Sequence, residues 1–185
     1  LTFHQINTEI SAGSLVLYNN TKVIHARIAF RKETGARIEI FCLSPIAPSD
    51  YQLMFSSKGK CTWICMVGNL KKWKEGSLIQ AITIGQSTFE LKASLIDRDP
   101  KVNPIIEFEW NAYFTFAEVL EVAGKIPIPP YLNRETEEID AARYQTVYSK
   151  HNGSVAAPTA GLHFTDRVFD KLKKNQVDFA EVTLH

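Results

Sequence analysis

The segment Gly85-Gln86-Ser87-Thr88-Phe89-Glu90-Leu91-Lys92-Ala93-Ser94-Leu95 decides the first half of the fold. Phe89, Leu91, Ala93 and Leu95 occupy every second position, with Glu90 and Lys92 between them, which is the period of a strand that buries one face. Gly85 stands at the first central position of a two-residue connection, so the spacing predicts a type II′ turn with a second strand before it. The same alternation continues outward. Ile24, Ala26, Ile28 and Phe30 share one face, and Ile106, Phe108 and Trp110 share another, while Lys22, Arg27, Glu107 and Glu109 fall opposite. Ser57-Lys58-Gly59, Gly68-Asn69 and Glu75-Gly76 supply further hairpin punctuation. Strands this short and closely spaced predict a small antiparallel β-barrel or sandwich over 22–112.

From Tyr113 the texture changes to helical patterning and to connections rich in Pro, Gly and Ala. Residues 115–123 suit a short helix that Gly124 ends. Asn133 is an N-cap candidate for a helix running to about Tyr148, with Glu135, Glu137 and Glu138 favouring its first turn. Thr165 caps another helix, whose Val168, Phe169 and Leu172 make an apolar stripe and whose Lys171, Lys173 and Lys174 suit its C-terminal end. Val177 to Leu184 returns to a strand pattern. The sum is a mixed α/β domain, residues 1–21 and 113–185, interrupted by the inserted β-barrel.

Composition narrows the function classes. Of the 185 residues 45% are hydrophobic and 11% aromatic, enough for a core and too much for disorder. Lys and Arg number 21 against 20 Asp and Glu, a formal charge of +1, so no global field argues for nucleic acid, although a local patch stays open. The longest apolar run is five residues, Trp63 to Val67, far short of the roughly 18 that a spanning helix requires. The first twenty residues hold no Lys, no Arg and no apolar h-region, so no secretory signal is expected in them. Cys42, Cys61 and Cys65 form no Cys-x-x-Cys pair and have no His at metal-ligand spacing. They read as buried thiols of a cytoplasmic protein, with no metal site.

Three stretches carry candidate chemistry. Gly153-Ser154-Val155-Ala156-Ala157-Pro158-Thr159-Ala160-Gly161 has nothing bulkier than Val, so a ligand or another backbone can approach it closely. With the helix start at Thr165, it suits a carboxylate or a phosphate; a close-packed core connection is the competing reading. It is neither a Walker sequence nor a G-x-G-x-x-G fingerprint. The prolines of Gly124-Lys125-Ile126-Pro127-Ile128-Pro129-Pro130-Tyr131 hold the chain extended, which either pre-organises Lys125 and Tyr131 or makes a plain linker. In Tyr144-Gln145-Thr146-Val147-Tyr148 the two tyrosines, as i and i+4 on a helix, would face one way, as core pairs usually do.

In combination these tracts carry a resemblance. Asn19-Asn20-Thr21-Lys22-Val23-Ile24 with Ala26-Arg27, Ile126-Pro127-Ile128-Pro129-Pro130-Tyr131, Tyr144-Gln145-Thr146-Val147-Tyr148, Ala156-Ala157-Pro158-Thr159-Ala160-Gly161-Leu162-His163-Phe164 and Val182-Thr183-Leu184-His185 closely resemble the S-adenosylmethionine:tRNA ribosyltransferase-isomerase family of queuosine biosynthesis. Two departures stand out. His25 replaces the usual Pro, and Gln176 replaces the usual Gly after the helix, leaving Asn175 as the expected left-handed cap. Family sequences also begin before Leu1 and continue past His185, so about half of a full chain is expected here.

The resemblance implies an α/β domain with an inserted β-barrel, and a reaction on tRNA. The ribosyl part of S-adenosylmethionine moves onto the aminomethyl group of 7-aminomethyl-7-deazaguanine and isomerises to an epoxy-cyclopentanediol, releasing adenine and methionine. S-adenosylmethionine is consumed as a co-substrate, and no true cofactor is implied. The first step calls for a base near neutral pH, with His163 the first candidate and His185 the second. The implied substrate-binding set is Lys125, Pro127, Pro129, Tyr131, Tyr144, Gln145, Thr146, Ala157, Pro158, Thr159, Gly161 and Phe164, with 127–131 and 157–164 as two walls of one pocket. Tyr131, Tyr144 and Phe164 offer aromatic faces to the sulfonium. For the tRNA, Lys58, Lys60, Lys71, Lys72 and Lys74 fall beside Trp63 and Trp73; a solvated edge guarded by Lys is the alternative. Two rival functions stay open: a non-catalytic RNA-binding β-barrel module, and an inactive fragment of the enzyme.

Overall fold

The structure is a computed structural model that describes residues 2–98, 102–129, 132, 134 and 136–185. The chain divides into two compact units, one made of Leu1–Val23 with Ile128–His185 and the other of Ile24–Pro127.

The Ile24–Pro127 unit contains strands β3 (Arg27–Arg31), β4 (Arg37–Ala47), β5 (Lys60–Gly68), β6 (Leu78–Ile84), β7 (Ser87–Asp97), β8 (Ile105–Glu109) and β9 (Gly124–Lys125), with helices α1 (Tyr51–Ser56) and α2 (Phe116–Ala123). All seven strands form one antiparallel sheet in the order β6-β7-β8-β5-β4-β3-β9. Alternation drives it as the sequence leads one to expect: Ile28, Phe30, Ile38, Ile40, Trp63, Leu91, Ala93, Ile106 and Phe108 are wholly buried. Ile84 pairs with Ser87, and Gly85 has φ +60° while Gln86 keeps a negative φ, the signature of the expected II′ turn.

The expected barrel is an open, curled sheet. Register shifts at Cys42/Ser44, Pro45/Ala47 and Leu95/Asp97 bend it, and β6 comes within 8 Å of β3 without pairing to it. The free edge of β3 is instead taken by β9, with Arg27 opposite Lys125 and Ile28 opposite Gly124. Helix α2 packs against β6, β3 and β9, across the opening. Its start is a capping box, Thr115 with Glu118, and its Phe116 lies beside the rings of Trp63, Phe108 and Trp110. Thus α2 and β9, although C-terminal to the change of texture at Tyr113, belong to the β-rich unit.

Other turns differ from expectation. Ser57-Lys58-Gly59 follows α1, whose N-cap Asp50 accepts from Leu53 N at 2.9 Å, so it links a helix to β5 and closes no hairpin. Gly68-Asn69 leads into a 3-10 turn, Leu70–Lys72, and β5 pairs with β4 and β8, not with β6. Gly124 ends α2 in an extended conformation, not a left-handed one; a Cβ there would sit 1.9 Å from the carbonyl oxygen of His25. The three cysteines are buried free thiols. Burial pushes the Cys61 and Cys65 thiols up, away from the reactive thiolate.

The other unit holds β1 (Leu15–Asn19) parallel to β11 (Asp178–Val182), and β2 (Thr21–Val23) parallel to β10 (His151–Ser154), with helices α3 (Glu138–Arg143) and α4 (Asp166–Lys174). Val168, Leu172 and Val177 are buried beneath Phe3, Ile6, Ile10, Val16, Phe164 and Phe179. Thr165 caps α4 as expected, accepting from Val168 N. The left-handed residue after it is Gln176, at φ +56°, not Asn175. Asn175 is engaged elsewhere: its amide donates to the carbonyls of Asn7 and Ile10 at 3.1 and 3.0 Å. The expected N-cap Asn133 lies outside the described residues. Helix α3 starts after Glu137 and stops at Arg143, so Tyr144 and Tyr148 are not helical neighbours. Among the described residues no helix is long and apolar enough to cross a membrane.

Candidate active site and basic surface

The small-residue stretch folds as the end of β10, a connection, and a 3-10 helix over Thr159–His163 whose N-cap is Pro158. Gly161 N donates to Pro158 O at 2.7 Å and Phe164 N to Gly161 O at 3.1 Å. Ala157 and Pro158 are half-buried, Thr159 is exposed, and Gly161 is buried. Two of its glycines meet chemistry-bearing groups. A Cβ on Gly153 would lie 2.0 Å from Nδ1 of His185, and one on Gly161 would lie 2.1 Å from the hydroxyl of Tyr148 and 3.1 Å from Thr146 Cγ2. Any side chain at these two positions would displace those groups, so the stretch is a surface on which His185, Tyr148 and Thr146 close.

The expected helix over the Tyr144–Tyr148 tract is replaced by a long-range tie. Gln145 Oε1 accepts from Val23 N at 2.9 Å, and its Nε2 donates to Val23 O at 2.7 Å. The side chain thus pairs with a backbone 122 positions away as a neighbouring strand would. Tyr144 and Thr146 are buried. Tyr148, a residue that pattern reading assigns to the core, stands 4.6 Å from the Tyr18 ring and edge-on to Phe164 and Phe169. Burial pushes its phenol pKa up, with the Thr146 hydroxyl working against that rise.

His163, at the end of the 3-10 helix, is exposed, and its ring lies 5.3 Å from Phe3, which also meets Phe164 edge-on at 5.0 Å. The structure therefore brings His185, Tyr148, Thr146 and Gly161 to the loop, with His163 and Phe164 at its far end. The N-terminus of α4 already carries the Thr165 cap and Asp166, which weakens the case for an added anion there.

Lys125 is exposed on β9 and Pro127 is buried, both in the Ile24–Pro127 unit, whereas half-buried Pro129 belongs to the other unit. Tyr131 lies outside the described residues.

Two carboxylates tie this unit together. Glu181 accepts from Tyr18 Oη and Asn20 Nδ2, each at 2.9 Å, and pairs with Lys150; these donors hold its pKa down at about 2. Asp140, 3% exposed, takes both guanidinium nitrogens of Arg134 at 2.6 and 2.7 Å together with Glu137 N, and is likewise held at about 2.

The five lysines do not form one group. Lys58 and Lys60 stand at the start of β5, where Lys60 is paired with Glu107 at 2.9 Å. Lys71, Lys72 and Lys74 follow its other end, about 26 Å away along an extended strand. Trp63 and Trp73 are buried, and Trp73 Nε1 donates to Gly76 O, so neither ring is offered to a base.

The whole chain, residues 1–185, matches the family model described as queuosine biosynthesis protein. Among curated proteins, the S-adenosylmethionine:tRNA ribosyltransferase-isomerase of Trichlorobacter lovleyi is 37% identical over 185 residues, which cover 100% of this chain and 48% of that protein. The protein of the same name from Natranaerobius thermophilus is 36% identical, over 99% of this chain and 48% of its own length. A crystal structure of S-adenosylmethionine tRNA ribosyltransferase from Thermotoga maritima shares 26% identity, over 99% of this chain and 44% of that one, with a TM-score of 0.32. The chain spans about half the length of the curated relatives it matches. It belongs to the queuosine biosynthesis protein family.

Proposed function

We propose that this chain is the portion of an S-adenosylmethionine:tRNA ribosyltransferase-isomerase that carries the small-residue loop, acting in the cytoplasm. In this reading the discontinuous unit is the catalytic α/β domain and the β-rich unit is inserted in it. The ribosyl part of S-adenosylmethionine passes to the aminomethyl group of 7-aminomethyl-7-deazaguanine in tRNA. The product is epoxyqueuosine, and adenine and methionine leave. S-adenosylmethionine is consumed as a substrate.

One observation carries the reading: Gly153 and Gly161 admit the His185 ring and the Tyr148 hydroxyl so closely that any side chain would exclude them. A stretch of small residues bordered by a histidine, a phenol and aromatic rings suits a cationic, ribose-bearing molecule. His163, first, or His185, second, takes the proton from the ribose carbon bonded to sulfur. Thr159 and the loop backbone bind ribose or carboxylate oxygens, and Phe164 and Tyr144 offer faces to the sulfonium. Gln145 acts by holding Val23 in place.

The test is adenine release from S-adenosylmethionine with tRNA bearing the aminomethyl precursor, followed together with the mass of the modified base. In the full-length protein, Thr159→Ala and His163→Ala are expected to slow release; unchanged release removes their roles. A non-catalytic RNA-binding module is the second reading, favoured by the cluster of unpaired cations at one end of the β-rich sheet. It predicts tRNA binding with no adenine release.

A further inference from the structure

The cations of the β-rich unit fall into two classes. Those along the strands are neutralised across the sheet: Arg27 pairs with Glu39 at 3.3 Å, Lys60 with Glu107 at 2.9 Å, and Lys92 with Glu109 at 2.7 Å. Those at one end of the sheet are not, apart from Arg37, which pairs with Glu39 at 3.2 Å. Among the described residues, Arg31, Lys32, Lys71, Lys72, Lys74 and Arg98 have no carboxylate within 4 Å, although Glu33, Glu75 and Asp97 lie in the same turns.

The turn between β5 and β6 gathers this second class. Lys32, just past β3, donates to Lys72 O at 3.3 Å, and Arg98, just past β7, donates to Leu70 O at 3.4 Å. Asn69, left-handed at φ 58°, donates to Arg37 O at 3.0 Å. Trp73 is 1% exposed and anchors the turn to the core, while Lys71, Lys72 and Lys74 around it are exposed.

From this placement we infer that Lys32, Lys71, Lys72, Lys74 and Arg98 form a pre-organised cradle for the phosphodiester backbone of the RNA substrate, to which Lys58 and Lys60 do not contribute. The inference rests on the tRNA-modifying reading and adds the surface that engages the RNA. Sequence proximity alone groups Lys58 and Lys60 with the others; Lys32 and Arg98, brought in by the fold, replace them. Such contacts set position and affinity without reading bases, so their loss weakens binding to every tRNA alike.

The experiment measures tRNA affinity against salt for the full chain, with precursor-bearing and unmodified tRNA. The triple variant Lys71→Gln, Lys72→Gln, Lys74→Gln is expected to bind at least about tenfold more weakly near 0.1 M salt, with a log–log slope shallower by about 2–3. Lys32→Gln with Arg98→Gln moves both quantities in the same direction, and Lys58→Gln with Lys60→Gln leaves them within twofold of wild type. Unchanged Trp fluorescence in each variant shows that Trp73 still anchors the turn. A triple variant with wild-type affinity and slope, in a protein that still releases adenine, overturns the cradle and leaves the enzymatic reading standing. A wild-type protein that neither binds tRNA nor releases adenine overturns both.

Discussion

The two units reach order by different means. The Ile24–Pro127 unit buries Trp63, Phe30, Phe108, Phe116 and a set of aliphatic side chains almost completely beneath a continuous antiparallel ladder. The Leu1–Val23 and Ile128–His185 unit has a small core of Val168, Leu172 and Val177, leaves Leu15 and Leu17 about 60% exposed, and relies on Asp140–Arg134 and Glu181 with its three donors. One unit is held mainly by apolar area, and the other adds buried and networked polar ties to a small core. Directional ties fix positions, and the candidate catalytic loop lies in the unit that has them.

All three tryptophans, Trp63, Trp73 and Trp110, lie in the β-rich unit, so their fluorescence follows that unit alone. The largest expected effect is there: Phe108→Ala is expected to cost about 3–5 kcal/mol in denaturant unfolding followed by Trp emission. Next comes Gly124→Ala, whose added carbon meets the His25 carbonyl backbone, with an expected loss of about 2–3 kcal/mol by the same probe. Losses under about 1 kcal/mol for both would break the contrast.

Acid sharpens it. Asp140 and Glu181 are held at about 2, below their ordinary 3.8 and 4.5, so the folded state binds fewer protons than the unfolded chain in that interval. Their stabilisation is complete above those ordinary values and is lost as pH falls toward 2. Glu109 and Glu118 in the β-rich unit shift the same way, through Lys92 and Thr115. Between pH 5 and 2, the share of the helical circular dichroism that comes from α3 and α4 is therefore expected to fall before Trp emission changes, and Asp140→Asn with Glu181→Gln to flatten the acid dependence. Simultaneous loss of both signals, unaltered in the variant, would contradict the division of labour.

The smallest effects concern the ends of α4. Thr165→Ala should cost about 1 kcal/mol through the lost cap. Gln176→Gly should stabilise by about 1 kcal/mol, because Gln holds φ +56° where Gly bears no penalty. Thermal unfolding followed by circular dichroism reads both.

What the sequence made legible was local. The alternation of Phe89 to Leu95, the Gly85 turn, the short helix within 115–123 and the cap Thr165 are short-range signals, and each appears in the structure. What stayed hidden depends on distant partners. Helix α3 stops before Tyr144, and the Gln145 amide beyond it bonds the backbone of Val23; Asn175 serves Asn7 and Ile10, so the left-handed cap passes to Gln176. The six-residue helix α1 went unread within an alternating region, although Asp50 before it was a usable N-cap signal. At the candidate site, small residues pointed to close approach, but only the fold shows that His185 and Tyr148 are the groups approaching.

The most direct measurement is adenine release from S-adenosylmethionine by the full-length protein, with precursor-bearing tRNA, comparing wild type with Gly161→Ala. A methyl at Gly161 displaces the Tyr148 hydroxyl, so release should fall roughly 100-fold while Trp emission from the β-rich unit stays as in wild type. Equal release by both proteins would contradict the assignment of the loop as the reacting surface.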